Sequence, residues 1–406
     1  MGDPFVIIGA SHSGVSLASS LRQRGWTDGI VLIERQKGTP VQRPPLSKAA
    51  LKDDWPLERN YIQSAKWFEK ADVQLLDGRN VTTIDPGGRS VSTDAGETTA
   101  WSKLALATGA VPRRLVCPGH DLPGVHYVRV LADVEALRDD LRAVEKAVIV
   151  GGGYIGLEVA ACLKGLGKDV TVIEMAERLL ARVATPAMSA FFHGLHERHG
   201  VGLVVGAAVD RIEGASRVER VVTSSGETID CDAVVAGIGV VPDLGLLSFL
   251  DDQDENGVPV SAACQTRHPD IYAIGDIAKY PWPFAAMRVE SIHNAQFTAA
   301  VAAHHALGLD PPTYEAPWFW SDQHGGKLQS VGIPLDWDSV VWRAGATENA
   351  GAAFAFKGDI LVSVEAFDFV PAFMLGKKLF AGKSPVKRSD IHDASNDLMD
   401  LAKRKV

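Results

Sequence analysis

A β-rich apolar run that ends in a glycine-rich loop, enters a helix and returns to a second apolar run ending on glutamate occurs twice in this chain. The first copy runs from Phe5–Ile8 through Gly9-Ala10-Ser11-His12-Ser13-Gly14 and a helical stretch to about Arg24, then through residues 30–33 to Glu34. The second runs from residues 147–150 through Gly151-Gly152-Gly153-Tyr154-Ile155-Gly156 and a helix to about Leu166, then through residues 170–173 to Glu174. Each is a βαβ unit. In such a unit the first glycine permits the turn, the second lets backbone approach a pyrophosphate, and the third packs helix on strand. The helix N-terminus then faces the phosphates, and the acid accepts hydrogen bonds from an adenosine ribose. The acids follow at 25 and 23 residues from the first glycines, so two dinucleotide sites are implied. Ser11 stands where the first copy should carry its second glycine. Its Cβ would crowd a pyrophosphate, while its hydroxyl is able to donate to a phosphate oxygen.

At 406 residues the chain exceeds one ordinary core, and two or three domains are expected. A net charge of −9 argues against general nucleic-acid binding, which needs a surplus of Lys and Arg on some face. Cys117, Cys162, Cys231 and Cys264 lie at least 33 positions apart, which leaves no CxxC pair and fits a reducing cytoplasm. The first apolar run is broken by Gly9 and His12, as in a buried strand rather than a signal peptide or membrane span. Met1-Gly2 invites comparison with a myristoylation signal, but Val6 occupies the place that signal gives to Ser or Thr.

Six further segments narrow the reading: Arg43-Pro44-Pro45-Leu46-Ser47-Lys48, Ala107-Thr108-Gly109-Ala110, Gly237-Ile238-Gly239 with Pro242, Tyr272-Ala273-Ile274-Gly275-Asp276, Arg288-Val289-Glu290-Ser291, and Pro317-Trp318-Phe319-Trp320-Ser321-Asp322-Gln323. In that order, and over nearly the whole chain, they resemble the FAD-dependent, NADH-oxidising ferredoxin reductases of bacterial P450 and aromatic-ring dioxygenase systems. The resemblance implies an α/β protein with two Rossmann-like domains of the glutathione reductase type and a C-terminal α+β domain. It places an FAD domain at residues 1–112 and 239–313, an NADH domain at 113–238, and an interface domain at 314–406.

As the resemblance implies, Gly9, Gly14 and Glu34 hold the adenosine half of FAD, with Ser11, His12 and Arg35 beside them. Asp276 bonds the ribityl chain, and Arg43, Pro45, Ala107, Thr108, Gly109, Glu290 and Ser291 complete that site. Lys48 is the family lysine near flavin N5; it pairs with Glu158, and both border the nicotinamide pocket. Gly151, Gly153, Tyr154, Ile155, Gly156, Glu174, Arg182, Gly237, Ile238 and Gly239 form the NADH site. Trp320 lies near the flavin and the electron exit. Hydride transfer needs a nicotinamide positioned against a flavin rather than a nucleophile or general base, so Lys48, Glu158 and Trp320 make up the expected catalytic set, and no metal is expected. FAD accepts a hydride and releases electrons one at a time, as a ferredoxin requires. Glu174 favours NADH because a carboxylate repels a 2′-phosphate, although Arg178 and Arg182 downstream offer cations that suit NADPH.

Three other readings stay open or are ranked below this one. NADH oxidases, peroxidases and disulfide reductases of this fold use a cysteine close to the flavin, and none occurs here before Cys117. A flavoprotein like apoptosis-inducing factor shares the Lys–Glu pairing, and a monodehydroascorbate reductase shares the architecture. Lys377, Lys378, Lys383, Lys387, Arg388 and Lys403-Arg404-Lys405 are candidate docking charges for an acidic 2Fe–2S ferredoxin. His193, His196 and His199 sit at steps of three on an expected helix and read as exposed histidines rather than metal ligands.

Overall fold

In the computed structural model the described residues are 2–52, 54–382, 384 and 386–404. The candidate docking charges Lys383 and Lys405, and the Met1 of the myristoylation comparison, lie outside them. The chain divides into two compact units, one of residues 1–42, 56–111 and 240–314, the other of residues 43–55, 112–239 and 315–406.

The first unit is built on a parallel five-stranded sheet in the order Ile271–Ala273, Lys103–Leu106, Phe5–Ile8, Ile30–Glu34, Val73–Asp77. Successive side chains of a strand face opposite ways, and here both faces are covered. Phe5 and Ile7 join one apolar core with the helix His12–Gln23, while Val6 and Ile8 join another with Ile33, Leu104 and Leu106. Two buried faces explain why these strands read as unbroken apolar runs rather than alternating ones. Truncating Phe5, which is fully buried, is expected to cost about 3–5 kcal/mol. The helices His12–Gln23 and Ile292–Ala306 share the first core, the second bringing the small residues Ala299, Ala302 and Ala303.

The second unit repeats the plan with the sheet order Gly202–Val205, Asp169–Glu174, Lys146–Val150, Ala233–Ala236, Val125–Tyr127, and with the helix Tyr154–Gly165 after its glycine loop. An antiparallel sheet in the order Trp318–Gln323, Gly326–Gly332, Ile360–Phe367, Gly351–Lys357, Ser339–Ala344 falls in the same unit. The helix Val370–Phe380 lies on it closely, because Gly376 carries no Cβ. An added one would meet Val364 at 2.8 Å and Val331 at 2.9 Å. Both βαβ repeats fall within two residues of the positions expected from the sequence.

Candidate active site

The two glycine loops make the same close approaches at their first and last glycines. Gly9 (φ 102°) and Gly151 (φ 107°) adopt a backbone conformation that side chains disfavour, and a Cβ on either would strike a carbonyl, Ala107 O at 2.3 Å or Gly237 O at 2.5 Å. A Cβ on Gly14 would meet Gly9 O at 1.9 Å, and one on Gly156 would meet Gly151 O at 2.1 Å. These close approaches seat each helix N-terminus against its own loop. They also bring Ala107 and Gly237, two of the expected site residues, onto the loops.

The middle position behaves differently. Beyond its own chain neighbours, Gly153, the N-cap of its helix, has no protein atom nearer its missing Cβ than Gly237 O at 3.9 Å. Glycine there meets no steric demand of the fold. Ser11 holds the equivalent N-cap in nearly the same extended conformation (φ −86°, ψ −161°, against −81° and 175°) and makes no cap bond to its own helix. The fold therefore accepts serine at this point, and any crowding falls on the ligand side.

Both acids are fastened to their loops. Glu34 Oε2 accepts from Ala10 N at 2.8 Å, and Glu174 Oε2 accepts from Gly152 N at 2.6 Å. Glu34 Oε1 accepts from Gln36 N at 3.0 Å, and Glu174 Oε1 from Ala176 N at 2.8 Å. Each carboxylate has about four lone-pair sites, so acceptor capacity remains for a ribose. Glycine cradle, helix terminus and held acid fit an adenine dinucleotide in each unit.

Around the first loop, Thr108 donates its hydroxyl to Asp243 O at 2.8 Å, and Arg35 pairs with the Asp243 carboxylate at 2.9 Å. Asp276 lies in the short turn Gly275–Ile277, where Arg288 Nη1 donates to its carbonyl at 2.5 Å, while Arg288 Nη2 pairs with Glu290 at 2.9 Å. Ser291 caps the helix Ile292–Ala306 by accepting from Asn294 N at 3.0 Å.

In the second unit, Lys48 and Glu158 meet. Lys48 Nζ stands 2.9 Å from Glu158 Oε1, with the acid 7% and the lysine 18% exposed. Pro45, the second residue of the turn Pro44–Ser47, lies just ahead of Lys48 and accepts from its N–H at 3.0 Å. Ser47 donates to Glu158 Oε2, and Ser321 donates to Oε1 at 2.5 Å. Burial pushes the Glu158 carboxyl up; Lys48 and the two serines oppose that shift. Arg43 Nη1 donates to Arg129 O at 2.8 Å.

Tyr154 lies edge-on to Phe319, ring centroids 4.8 Å apart, and its buried hydroxyl has no hydrogen-bond partner among the described residues. Trp320 is half-buried opposite Gln329 and 5.7 Å from the Trp318 ring, so it belongs at once to an aromatic strand and to the strand that delivers Ser321. Ile155 is 37% exposed at the start of the second loop's helix. Gly239 lies near Arg182, whose Nη2 would stand 2.9 Å from an added Cβ.

Several residues behave differently from their sequence reading. Arg178 donates to Ala184 O at 3.0 Å and Ala181 O at 2.9 Å, so its guanidinium holds a turn rather than awaiting a 2′-phosphate. His196, read as exposed, is fully buried and stands 2.8 Å from Gln323 Oε1, because the helix Pro186–Arg198 turns that position inward. Lys377 lies 5.2 Å over the Trp318 ring, and Lys378 donates to Ala402 O, so these two charges are engaged within the C-terminal region.

The sequence reading did not single out Ser47, Ser321 or Gln323 as site residues. Their signal was present, since Ser321 and Gln323 occupy alternate, inward positions of one strand, where polar residues need partners. It also passed over Glu365, fully buried, which accepts from the Thr185 hydroxyl at 2.6 Å and from Thr185 N at 3.1 Å. Burial pushes its carboxyl up to about 7, against the opposing pull of Thr185 and Arg178. All four cysteines are free, and burial pushes the Cys162 thiol, which donates to Lys48 O at 3.1 Å, up to about 11.

Among the described residues, no helix is long and apolar enough to cross a membrane. Residues 3–299 match the pyridine nucleotide-disulphide oxidoreductase family, and residues 318–402 match the reductase C-terminal family. The chain is 37% identical to the 5,5′-dehydrodivanillate O-demethylase ferredoxin reductase subunit of Sphingobium sp. over 98% of this chain and 97% of that one. It superposes with a TM-score of 0.94 on the ferredoxin reductase for the CYP199A2 system of Rhodopseudomonas palustris, at 37% identity over 99% of this chain and 100% of that one. A covalent putidaredoxin reductase–putidaredoxin complex is matched with the same score at 33% identity, over 98% of both chains. Paired glycine cradles, fastened acids and these matches together place the chain in the pyridine nucleotide-disulphide oxidoreductase family, in the branch that carries the reductase C-terminal module.

Proposed function

We propose that this oxidoreductase takes a hydride from NADH onto FAD and passes the electrons singly to a 2Fe–2S ferredoxin that feeds a P450 or a ring-hydroxylating oxygenase. Relatives named as ferredoxin reductases, and the solved reductase–putidaredoxin complex, support the choice of partner. FAD is assigned to residues 1–112 and 239–313, NADH to residues 113–238, and partner contact to residues 314–406, in the cytoplasm.

Bound FAD supplies a two-electron acceptor that is also a one-electron donor. The chain's own task is to bind, orient and hold charge. Gly9, Gly14 and the first helix terminus cradle one pyrophosphate, with Glu34 on its ribose; Gly151, Gly156 and Glu174 do the same for NADH. Glu174 supports NADH over NADPH, and the engaged Arg178 removes one cation that a 2′-phosphate would need. Glu158 holds the Lys48 ammonium in one place beside the nicotinamide, and Ser47 and Ser321 hold Glu158. Trp320 is assigned to the electron exit.

The observation that carries this reading is the buried Lys48–Glu158 pair, a fixed charge where disulfide reductases would need an activated thiolate. The nearby Cys162 thiol, pushed up to about 11, is poorly suited to that role. Mixing the FAD-loaded protein with NADH and a 2Fe–2S ferredoxin under anaerobic conditions tests it. Rapid flavin bleaching followed by multiple-turnover ferredoxin reduction is expected. A slow reduction that stops at a long-lived charge-transfer complex, with the ferredoxin still oxidised, would refute it.

A further inference from the structure

Glu158 ends a longer hydrogen-bonded series. Ser321 Oγ donates to Glu158 Oε1 at 2.5 Å, and Gln323 Nε2 donates to Ser321 Oγ at 3.0 Å. His196 Nε2 stands 2.8 Å from Gln323 Oε1, and His324 Nε2 stands 3.1 Å from His196 Nδ1. Glu158, Ser321, Gln323 and His196 are 6%, 1%, 2% and 0% exposed, so water does not compete along the series.

The direction of the series is set from one end. An ionised carboxylate only accepts, so the single Ser321 proton points at Glu158 and Ser321 must in turn accept from the Gln323 amide nitrogen. Gln323 Oε1 then needs a donor, which requires His196 to carry its proton on Nε2. His196 Nδ1 is left as the acceptor for His324 Nε2–H. Four aligned donors thus aim at one carboxylate, and in a low-dielectric interior each strengthens the next. The series does not conduct protons, because a glutamine amide in its middle cannot pass one through without leaving its stable tautomer.

We propose that Gln323 and His196 are positioning residues for Glu158: the one-way series beginning at His324 holds the carboxylate ionised against Lys48 and sets the acid limit of hydride transfer. This rests on the reading of Lys48 and Glu158 as the pair beside the nicotinamide. The groups that face the series are few. Glu158 feels Lys48, Ser47 and Ser321, and it influences Tyr154, which also faces Glu365; Glu365 in turn feels Arg178. His196 faces His193, His199 and His324, and His324 faces His196 and His199. Burial holds His196 down to about 4 and His324 down to about 3, so both remain neutral donors near neutral pH. Removing a link leaves Ser321 without the amide that fixes its single proton on Glu158, so the ionised form loses stabilisation and the acid limb must move to higher pH.

The test uses full-length, FAD-loaded protein and follows flavin reduction by saturating NADH from pH 5 to 9. Gln323→Leu should slow reduction at low pH by about fivefold, the worth of one net hydrogen bond, and shift the acid midpoint up by about 0.7 unit with KM for NADH unchanged. His196→Leu should behave the same way. His196→Gln, whose amide nitrogen can still donate to Gln323 Oε1, should stay within about twofold of wild type. A second readout needs no turnover: nitrogen-15 NMR of labelled histidines should show His196 with its proton on Nε2. Wild-type acid midpoints in both leucine variants, or a His196 proton on Nδ1, would overturn the proposal. Glu158→Gln separates the two levels. If it reduces flavin at the wild-type rate, the pocket reading has failed; if it is slowed while Gln323→Leu and His196→Leu are not, only the series has failed.

Discussion

Glu365 offers a stability measurement whose size can be worked from the fold. Its carboxyl is fully buried on the strand Ile360–Phe367, with only Thr185 donating to it among the described residues, and burial raises it from 4.5 to about 7. A carboxyl raised in the folded state binds its proton more tightly there than in the unfolded chain. Its stabilising contribution is thus complete below about pH 4.5 and is lost as pH rises through about 7. A shift of about 2.5 units at about 1.36 kcal/mol each corresponds to roughly 3 kcal/mol lost by pH 8, against under about 1 kcal/mol at pH 5. Glu365→Gln keeps an acceptor for Thr185 and cannot ionise, so it removes the pH-dependent part alone. Its new amide protons add a constant cost at every pH. The difference in melting temperature, variant minus wild type, should therefore be more favourable at pH 8 than at pH 5 by roughly 5–10 °C, taking about 2–4 °C per kcal/mol. Thermal denaturation at the two pH values checks this. An identical difference at both would mean that the Glu365 carboxyl ionises in the fold as it does in the unfolded chain, and the burial argument would be wrong.

Gly9→Ala should abolish flavin retention, since its Cβ would lie 2.3 Å from Ala107 O at φ 102°; stoichiometric yellow protein after gel filtration would contradict this. His324 (φ 50°) should make wild type acid-labile. Its depressed folded value gives stability that is present above about pH 6.5 and is lost as pH falls toward about 3. His324→Asn, which tolerates positive φ, should then gain melting temperature relative to wild type at pH 5 but not at pH 8. Arg178→Met should lower stability by about 1–2 kcal/mol in urea titrations through the orphaned Ala181 and Ala184 carbonyls, while leaving the ratio of NADH to NADPH turnover unchanged.

The βαβ repeats were legible because their signals are local: an apolar run buried on both faces, a glycine that tolerates φ near 100°, and an acid at a fixed spacing. Ser11 departed from the motif, and the open space beside Gly153 shows that the fold makes no demand for glycine at that position. His196, read as exposed, and the engagement of Arg178 escaped the sequence for another reason. Which face of the helix Pro186–Arg198 turns inward depends on tertiary packing, and the local turn that brings the Ala181 and Ala184 carbonyls back to Arg178 has no periodic signal. Ser321 and Gln323 fall between the two cases. Their alternation was visible, but their partner Glu158 lies more than 160 positions distant, and no periodicity carries that information. The same holds for segment 43–55, which lies early in the chain yet packs with the second unit.

Fastening each glycine loop by the same acid that is proposed for the ribose has a consequence for redesign. Glu174 is a latch as well as the proposed recognition group: one oxygen ties down Gly152 and the other Ala176. A substitution chosen to admit a phosphorylated coenzyme would unlatch the loop it hopes to retune, so altered selectivity would arrive with a slackened cradle. Only a replacement that restores an acceptor to Gly152 N can separate the two effects.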